Sequence, residues 1–245
     1  MNDNAEPGAA GPKTITYRRV VDLSHRIHPN IPQWPGDPRV EIETVAQIAA
    51  EGYNLRRVSL GEHTGTHINA PNSFHGGGIS IDSYDAQSLV APAIVLDIAG
   101  RSAGDSNYLL TVDDVHAWEQ RFGSVPAGSI VLLYSGWQEK WDSPQDFLNL
   151  DSNGVGHFPG FGLEAVRFLV NERRIGGIGI DTHGVDGGQD QTFAVNRLML
   201  ERPRIVLENL TNLEELPPTG TTLAIGILRL LAGSGSPASV LALVT

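Results

Sequence analysis

The sequence predicts an α/β fold, a single domain with a mostly β core and flanking helices. Three observations carry this expectation. Short apolar runs closed by turn residues recur along the chain, "APAIVLDIAG", "SIVLLYSGW" and "IGIDT" among them, as buried strands require. Two segments, "LLTVDDVHAWEQRFG" and "FGLEAVRFLVNERR", repeat apolar residues at helical spacing. No repeat or linker interrupts residues 14–245, so one domain is expected there.

Each element can be justified in order. Residues 1–13, "MNDNAEPGAAGPK", are small, polar and Pro/Gly-containing, and they read as a disordered leader with no apolar run of a signal peptide. "YRRVVDLSHRI" has the β-branched enrichment of a strand, and the turn-rich "HPNIPQWPGDP" follows it. "VEIETV" alternates apolar and polar residues as a half-buried strand does. "YNLRRVSL" leads, strand-like, into "GEHTGTHINAPNSFH". In the first helix Thr111 caps the amides that Asp114 also favours, while Val112, Val115, Trp118 and Phe122 form one apolar face. Gly176 and Gly177 break the second helix before "IGIDT". The end, "TTLAIGILRLLAGSGSPASVLALVT", reads as two strands around a Gly/Ser turn.

Composition excludes several classes. Of the 245 residues 40% are hydrophobic and 18% charged, enough for a substantial core. A formal net charge of −11 argues against nucleic acid, whose phosphates it would repel. There is no cysteine, which removes thiolate metal sites, a cysteine nucleophile and disulfides, and which fits a reducing compartment. No apolar stretch reaches membrane-spanning length, so a soluble, cytoplasmic protein is expected, with no nucleic-acid or membrane partner.

The chemistry is concentrated in Gly61–His75. His63 and His67 stand four apart, but Gly65 and Pro71 oppose a helix. In an extended chain His67 and Asn69 point the same way, and a turn at Thr64–Gly65 folds His63 back beside them. Neutral imidazoles suit Zn, Mn or Fe, and an amide oxygen can complete a site. The spacing alone serves equally well for loop histidines bonded to backbone.

"HTGTHINAP" resembles the HxGTHxDxPxH signature of the cyclase/arylformamidase-like metal-dependent hydrolases, a family that includes kynurenine formamidases and isatin hydrolases. "DLSH" with "PGDP", "GIDTHGVD" and "ENLTNLEELP" resemble the family's other blocks, in the same order. The resemblance implies a β-rich α/β fold, usually oligomeric (a homodimer or homotetramer), that hydrolyses amide or lactam bonds with one or two divalent metals. By position, His63 and His67 match the first two ligands, and Asn69 stands where the family has an aspartate. Ser73 occupies the place of an acid/base histidine, Asn196 that of a later histidine ligand, and Glu208 that of a carboxylate serving the second metal.

The three departures all concern chemistry. A neutral amide cannot bridge two cations as a carboxylate does, so a two-metal centre is not expected. The expected cofactor is one divalent ion, Zn or Mn, on His63, His67 and Asn69 with Glu208 at hand. The expected catalytic set is Ser73, His75 and Glu208. His75 supplies an imidazole two residues beyond Ser73, and Glu208 supplies a base if burial raises its pKa. A surface position for His75 fits the sequence as well. Trp34, His183 and Asn196 are the expected substrate contacts; His183 can equally be a substitute ligand, and His25 a satisfied structural histidine. Asp181 and Asp186 either hold histidine tautomers or form turns. The function expected is metal-assisted hydrolysis of a small cyclic or aryl amide, or a lactone. Two alternatives stand beside it: a metal-free cyclase or dehydratase whose amides and hydroxyls (Asn69, Asn72, Ser73, Asn196) stabilise an enolate, and a non-catalytic binding protein.

Overall fold

The computed structural model describes residues 14–245, and the expected leader lies outside them. In chain order the elements are β1 (Arg19–Asp22), β2 (Glu41–Ala46), α1 (Ile48–Glu51), β3 (Leu55–Ser59), β4 (His67–Asn69), β5 (Val90–Asp97), α2 (Ala99–Ser102), β6 (Leu109–Leu110) and α3 (Val112–Phe122). They continue with β7 (Ile130–Tyr134), α4 (Pro144–Leu148), β8 (Gly160–Phe161), α5 (Leu163–Glu172), β9 (Gly177–Ile180), α6 (Ala194–Leu200), β10 (Ile205–Glu208), β11 (Thr221–Ile227) and β12 (Gly235–Val244).

Eight strands form one sheet in the order β1-β12-β11-β5-β7-β9-β10-β4, and a further pairing of β12 with β4 closes it into a barrel-like core. β5, β7, β9 and β10 run parallel to one another, and the remaining pairings of this sheet are antiparallel. The parallel strands are covered on both faces, which is why they read as unbroken apolar runs. Their alternation sorts two cores. Ile130 and Leu132 of β7, with Ile205 and Leu207 of β10, pack inside the barrel against Ile68, Leu223 and Val240. Val131, Leu133 and Val206 face outward onto Val115 and Trp118 of α3, Val166 and Leu169 of α5, and Met199 of α6. In β9 the inward positions are glycines: a Cβ on Gly179 would stand 2.9 Å from both Leu132 and Leu210, so the barrel admits no side chain there.

The expected α3 forms with its capping box, Thr111 accepting from the Asp114 amide and Asp114 from the Thr111 amide. The C-terminal pair forms as β11 and β12. Three elements of the site were not legible as such: β4, β10 and α6 are 3, 4 and 7 residues long, too short for a periodicity to register. A third apolar cluster, Ile31, Trp137, Trp141, Phe147 and Phe158, walls one side of the site. Among the described residues no helix is long and apolar enough to cross a membrane.

Glu119 of α3 ties the outer layer together. It binds the Arg173 guanidinium at 2.6 and 3.0 Å and accepts from the Val125 amide. The Arg173 hydrogen bond is the main cause that holds its carboxyl down to about 2, against the opposing effect of burial. A depressed carboxylate stabilises the fold above its ordinary pKa of 4.5, and this stabilisation is lost as pH falls toward about 2. Glu119→Gln should therefore cost about 1–3 kcal/mol in urea unfolding near neutral pH, with the gap to wild type narrowing in acid.

Candidate active site

The site forms where β4 meets β10. In their antiparallel register Glu208 faces His67, and Leu207 faces Ile68. Gly65 adopts a positive φ of 62°, a turn that costs glycine little, and brings His63 back beside the strand. The His63 and His67 rings then lie 5.2 Å apart, edge to face. A cavity of about 340 Å³ opens above them. Trp34, Phe74, Phe158, His183 and Phe193 supply its apolar lining, and Asp37, Asn72, Ser73, Asp186 and Asp190 its polar lining, around the floor of His63, His67, Asn69, Asn196 and Glu208.

The floor is buried: His67, Asn69, Asn196 and Glu208 are 2%, 3%, 3% and 5% exposed. His67 Nδ1–H donates to the Gly65 carbonyl at 2.8 Å, which aims Nε2 at Glu208 Oε2, 3.0 Å away. That approach is an ion pair when the ring carries both protons. It is also the separation of two ligand atoms at right angles about one cation, since bonds of about 2.1 Å place them about 3.0 Å apart. Glu208 Oε1 accepts from the Val185 amide and from Asn196 Nδ2, each at 3.0 Å.

Two of the departures from the family pattern touch each other. Asn196 Nδ2 donates to Glu208 and, at 3.0 Å, to Asp186 Oδ2. Its oxygen is thereby turned to Asn69, whose Nδ2 donates to it at 3.1 Å. Asn69 Oδ1 then accepts from His63 Nδ1 at 2.9 Å, and His63 Nε2 reaches the Ser234 hydroxyl at 3.0 Å. The amides thus link the two carboxylates to His63 in one directed chain, with Asn196 Nδ2–H bonds filling the space between Glu208 and Asp186. Among the described residues no three His, Asp or Glu side chains converge as a metal cluster. The floor's donor groups are two imidazoles, an amide oxygen and the Glu208 carboxylate, each already hydrogen-bonded or ion-paired within the site.

The titration of the floor departs from expectation at Glu208. Burial, the largest influence, pushes its carboxyl up, but the His67 hydrogen bond and charge, Asn196 and the Val185 amide together hold it well below the carboxylate range. It is a stable anion rather than a raised-pKa base, because its burial comes with partners for both oxygens. Asp186 does rise, to about 6, mainly by burial and despite accepting from the Val195 and Asn196 amides. Its carboxylate caps the start of α6. Asp37, at the cavity rim, is raised by partial burial against the pull of His63 and His67.

The other expected residues are placed as follows. Trp34, His183 and Asn196 line the cavity, as do Ser73 and Glu208. Ser73 donates to the Ser234 carbonyl. His75 is not among the lining residues: its Nε2–H donates to the Arg197 carbonyl at 2.8 Å on the outside of α6. The one-turn helix over Pro71–Ser73 breaks the extended run that would have set His75 on the same side as Ser73. His25 stacks on Trp141 at 3.8 Å, and burial lowers its pKa to about 4. Asp181 is fully buried and accepts from the Ser135 amide and hydroxyl and the Trp137 amide, a turn anchor behind the site.

Sequence reading missed Asn209, the residue that fastens these parts. Fully buried and at φ 56°, it donates from Nδ2 to the Gly65 carbonyl and accepts from His183 Nδ1, while its backbone carbonyl accepts from Thr66. Its only signal was an asparagine in "ENLTNLEELP", a residue type that tolerates the left-handed region. Phe158, Ser234 and Asp190 carried no signal at all, since they come from loops far apart in the chain.

Residues 21–187 match the Cyclase family model, described as "Putative cyclase", and the chain belongs to this family. It is 34% identical over 242 residues to the isatin hydrolase of Roseibium aggregatum, covering 92% of this chain and 91% of that protein. The solved isatin hydrolase A from Ralstonia solanacearum superposes with a TM-score of 0.86 at 36% identity, covering 93% of this chain and 92% of that one. A kynurenine formamidase of Geobacillus thermodenitrificans is 26% identical over 219 residues, covering 89% of this chain and 93% of that protein. The resemblance read from the motifs and the α/β fold with its mostly β core both agree with these relatives.

Asn209→Ala should destabilise the fold by about 2–4 kcal/mol in urea unfolding. It leaves the buried His183 Nδ1 without its partner, removes one of the two hydrogen bonds to the Gly65 carbonyl, and places alanine at positive φ.

Proposed function

We propose that the protein hydrolyses the C–N bond of a small cyclic or aryl amide. The observation that carries this is the His67–Glu208 pair, oriented from behind by the Gly65 carbonyl and set on the floor of an aromatic-walled cavity. His63, His67 and Asn69 would hold one divalent cation, Zn or Mn, with Glu208 as the anion that balances its charge. The chemistry such an ion supplies is Lewis acidity toward the scissile carbonyl and toward water. The rest is work for the chain's own side chains. Trp34 and Phe158, with ring centroids 6.2 Å apart and close to perpendicular, would offer an aromatic substrate one ring face and one ring edge. Glu208, held anionic, is the electrostatic partner of His67 rather than the proton acceptor. Asp37, raised and open at the rim, is better placed to take the proton from water. The relatives' names support the reaction class, isatin and formylated kynurenine both being aryl amides. Cytoplasmic location and a homodimeric or homotetrameric state belong to the same proposal.

The self-contained amide relay from His63 to Glu208 favours a second reading, ligand binding without hydrolysis, since each floor side chain already has a hydrogen-bond partner. Metal content separates the two. Mass spectrometry of dialysed protein should find one divalent ion per chain, and His67→Ala should lose both the ion and at least about 100-fold in turnover. Protein that takes up neither Zn nor Mn from micromolar solution contradicts the hydrolase reading. His75→Ala, altered outside the cavity, should retain kcat/KM within about threefold in a steady-state assay.

A further inference from the structure

The cavity carries two aromatic pairs, and the proposed reaction uses one of them, Trp34 with Phe158. Phe74 and Phe193 form the second, their ring centroids 5.5 Å apart and their planes tilted by 45°. They come from distant parts of the chain. Phe74 ends the helical turn that follows β4, and Phe193 stands just before α6. Phe193 is 38% exposed, and among the described residues it is the one exposed large apolar side chain that lines the cavity. A ring that is open to solvent and also part of the cavity wall stands at the mouth.

The backbone marks the same position. Phe193 adopts φ 55° and ψ 43°, the left-handed region that a bulky side chain rarely enters. Its neighbours hold it there. Asp190 accepts from the Thr192 amide at 2.7 Å, the Thr192 hydroxyl at 2.6 Å and the Ala194 amide at 3.2 Å, so it binds the chain on both sides of Phe193. The Phe193 carbonyl accepts from the Arg197 amide at 2.9 Å. The Arg197 guanidinium donates to the Thr192 and Phe74 carbonyls at 3.0 and 3.1 Å and lies 5.6 Å from the centre of the Phe74 ring. Arg197 thus joins the two halves of the aromatic pair. Glycine or asparagine would occupy this conformation with less strain, yet the chain places a partly exposed phenyl ring there. Strain of this kind is retained where a side chain meets a ligand.

We propose that Phe74 and Phe193 form a second apolar subsite at the cavity mouth, so that the preferred substrates are aryl amides bearing a further ring beyond the one received by Trp34 and Phe158. The proposal rests on the amide-hydrolase reading and deepens it by naming the substrate class. The role of the pair is specificity. Neither ring carries a group able to polarise a carbonyl or move a proton, so the contact stabilises ground state and transition state alike. It therefore acts on KM and leaves kcat to the floor.

The test compares oxindole with its derivatives phenylated on the benzo ring in calorimetric binding, and isatin with the matching phenylisatins in steady-state kinetics. In wild type at least one phenyl derivative should bind about 10-fold more tightly than its parent, with KM lower by a similar factor and kcat within about threefold. In Phe193→Asn, whose new side chain tolerates the left-handed region, that gain should fall below about threefold while the urea midpoint stays at or above that of wild type. A lower midpoint with the gain intact would assign Phe193 to packing alone and overturn the proposal. Phenyl derivatives that bind wild type no better than their parents, or binding of none of the oxindoles, would also overturn it. The wild-type comparison stands even if the variant does not fold. A gain in calorimetry without turnover of any isatin keeps the subsite and rejects the hydrolase reading instead.

Discussion

The pairing of β4 with β10 is the constraint on which the rest depends. Three residues, His67–Asn69, bond to β10 on one edge and to β12 on the other, and so close the barrel. The register that buries Ile68 among the barrel's apolar side chains also sets His67 opposite Glu208 and leaves Asn69 facing the cavity. A slip of one residue would turn Ile68 out of the core and both polar side chains into it, so packing and chemistry enforce the same alignment. The core thereby imposes the alignment of His67, Asn69 and Glu208.

Around that strand the electrostatics balance. Two buried carboxylates, Glu208 and Asp186, share the amide hydrogens of Asn196, and the direction of that amide passes through Asn69 to His63. Two amides, Asn69 and Asn196, stand here where the motif resemblance implies an acidic and a basic side chain. The remaining side chains still form a closed hydrogen-bond chain. Asn69 and Asn196 bond directly to each other, and Asn209 secures the same arrangement from the other side through Gly65 and His183.

Much of this was legible in the sequence, for identifiable reasons. Long apolar runs and a capped amphipathic helix announce themselves through period and cap chemistry, as β7 and α3 show. Gly65 within "HTGTH" signalled the turn that returns His63 to Asn69. What stayed hidden was set by partners far along the chain. Glu208 was expected to rise in pKa because burial alone raises carboxylates, but its partners His67, Val185 and Asn196 come from three other segments and reverse the sign. His75 stands two positions from Ser73, and only a short helical turn, invisible to periodicity, sends it to Arg197 instead. Asn209 holds three groups at once, from a conformation that no apolar pattern encodes.

The central proposal is that the floor holds a single cation on His63, His67 and Asn69, with Glu208 balancing its charge. Anomalous diffraction from crystals soaked in excess Mn or Zn, recorded at the metal's absorption edge, tests it most directly. The account predicts one peak per chain, within bonding distance of His63, His67 and Asn69. Two peaks bridged by Glu208, or a single peak away from His67, would contradict it.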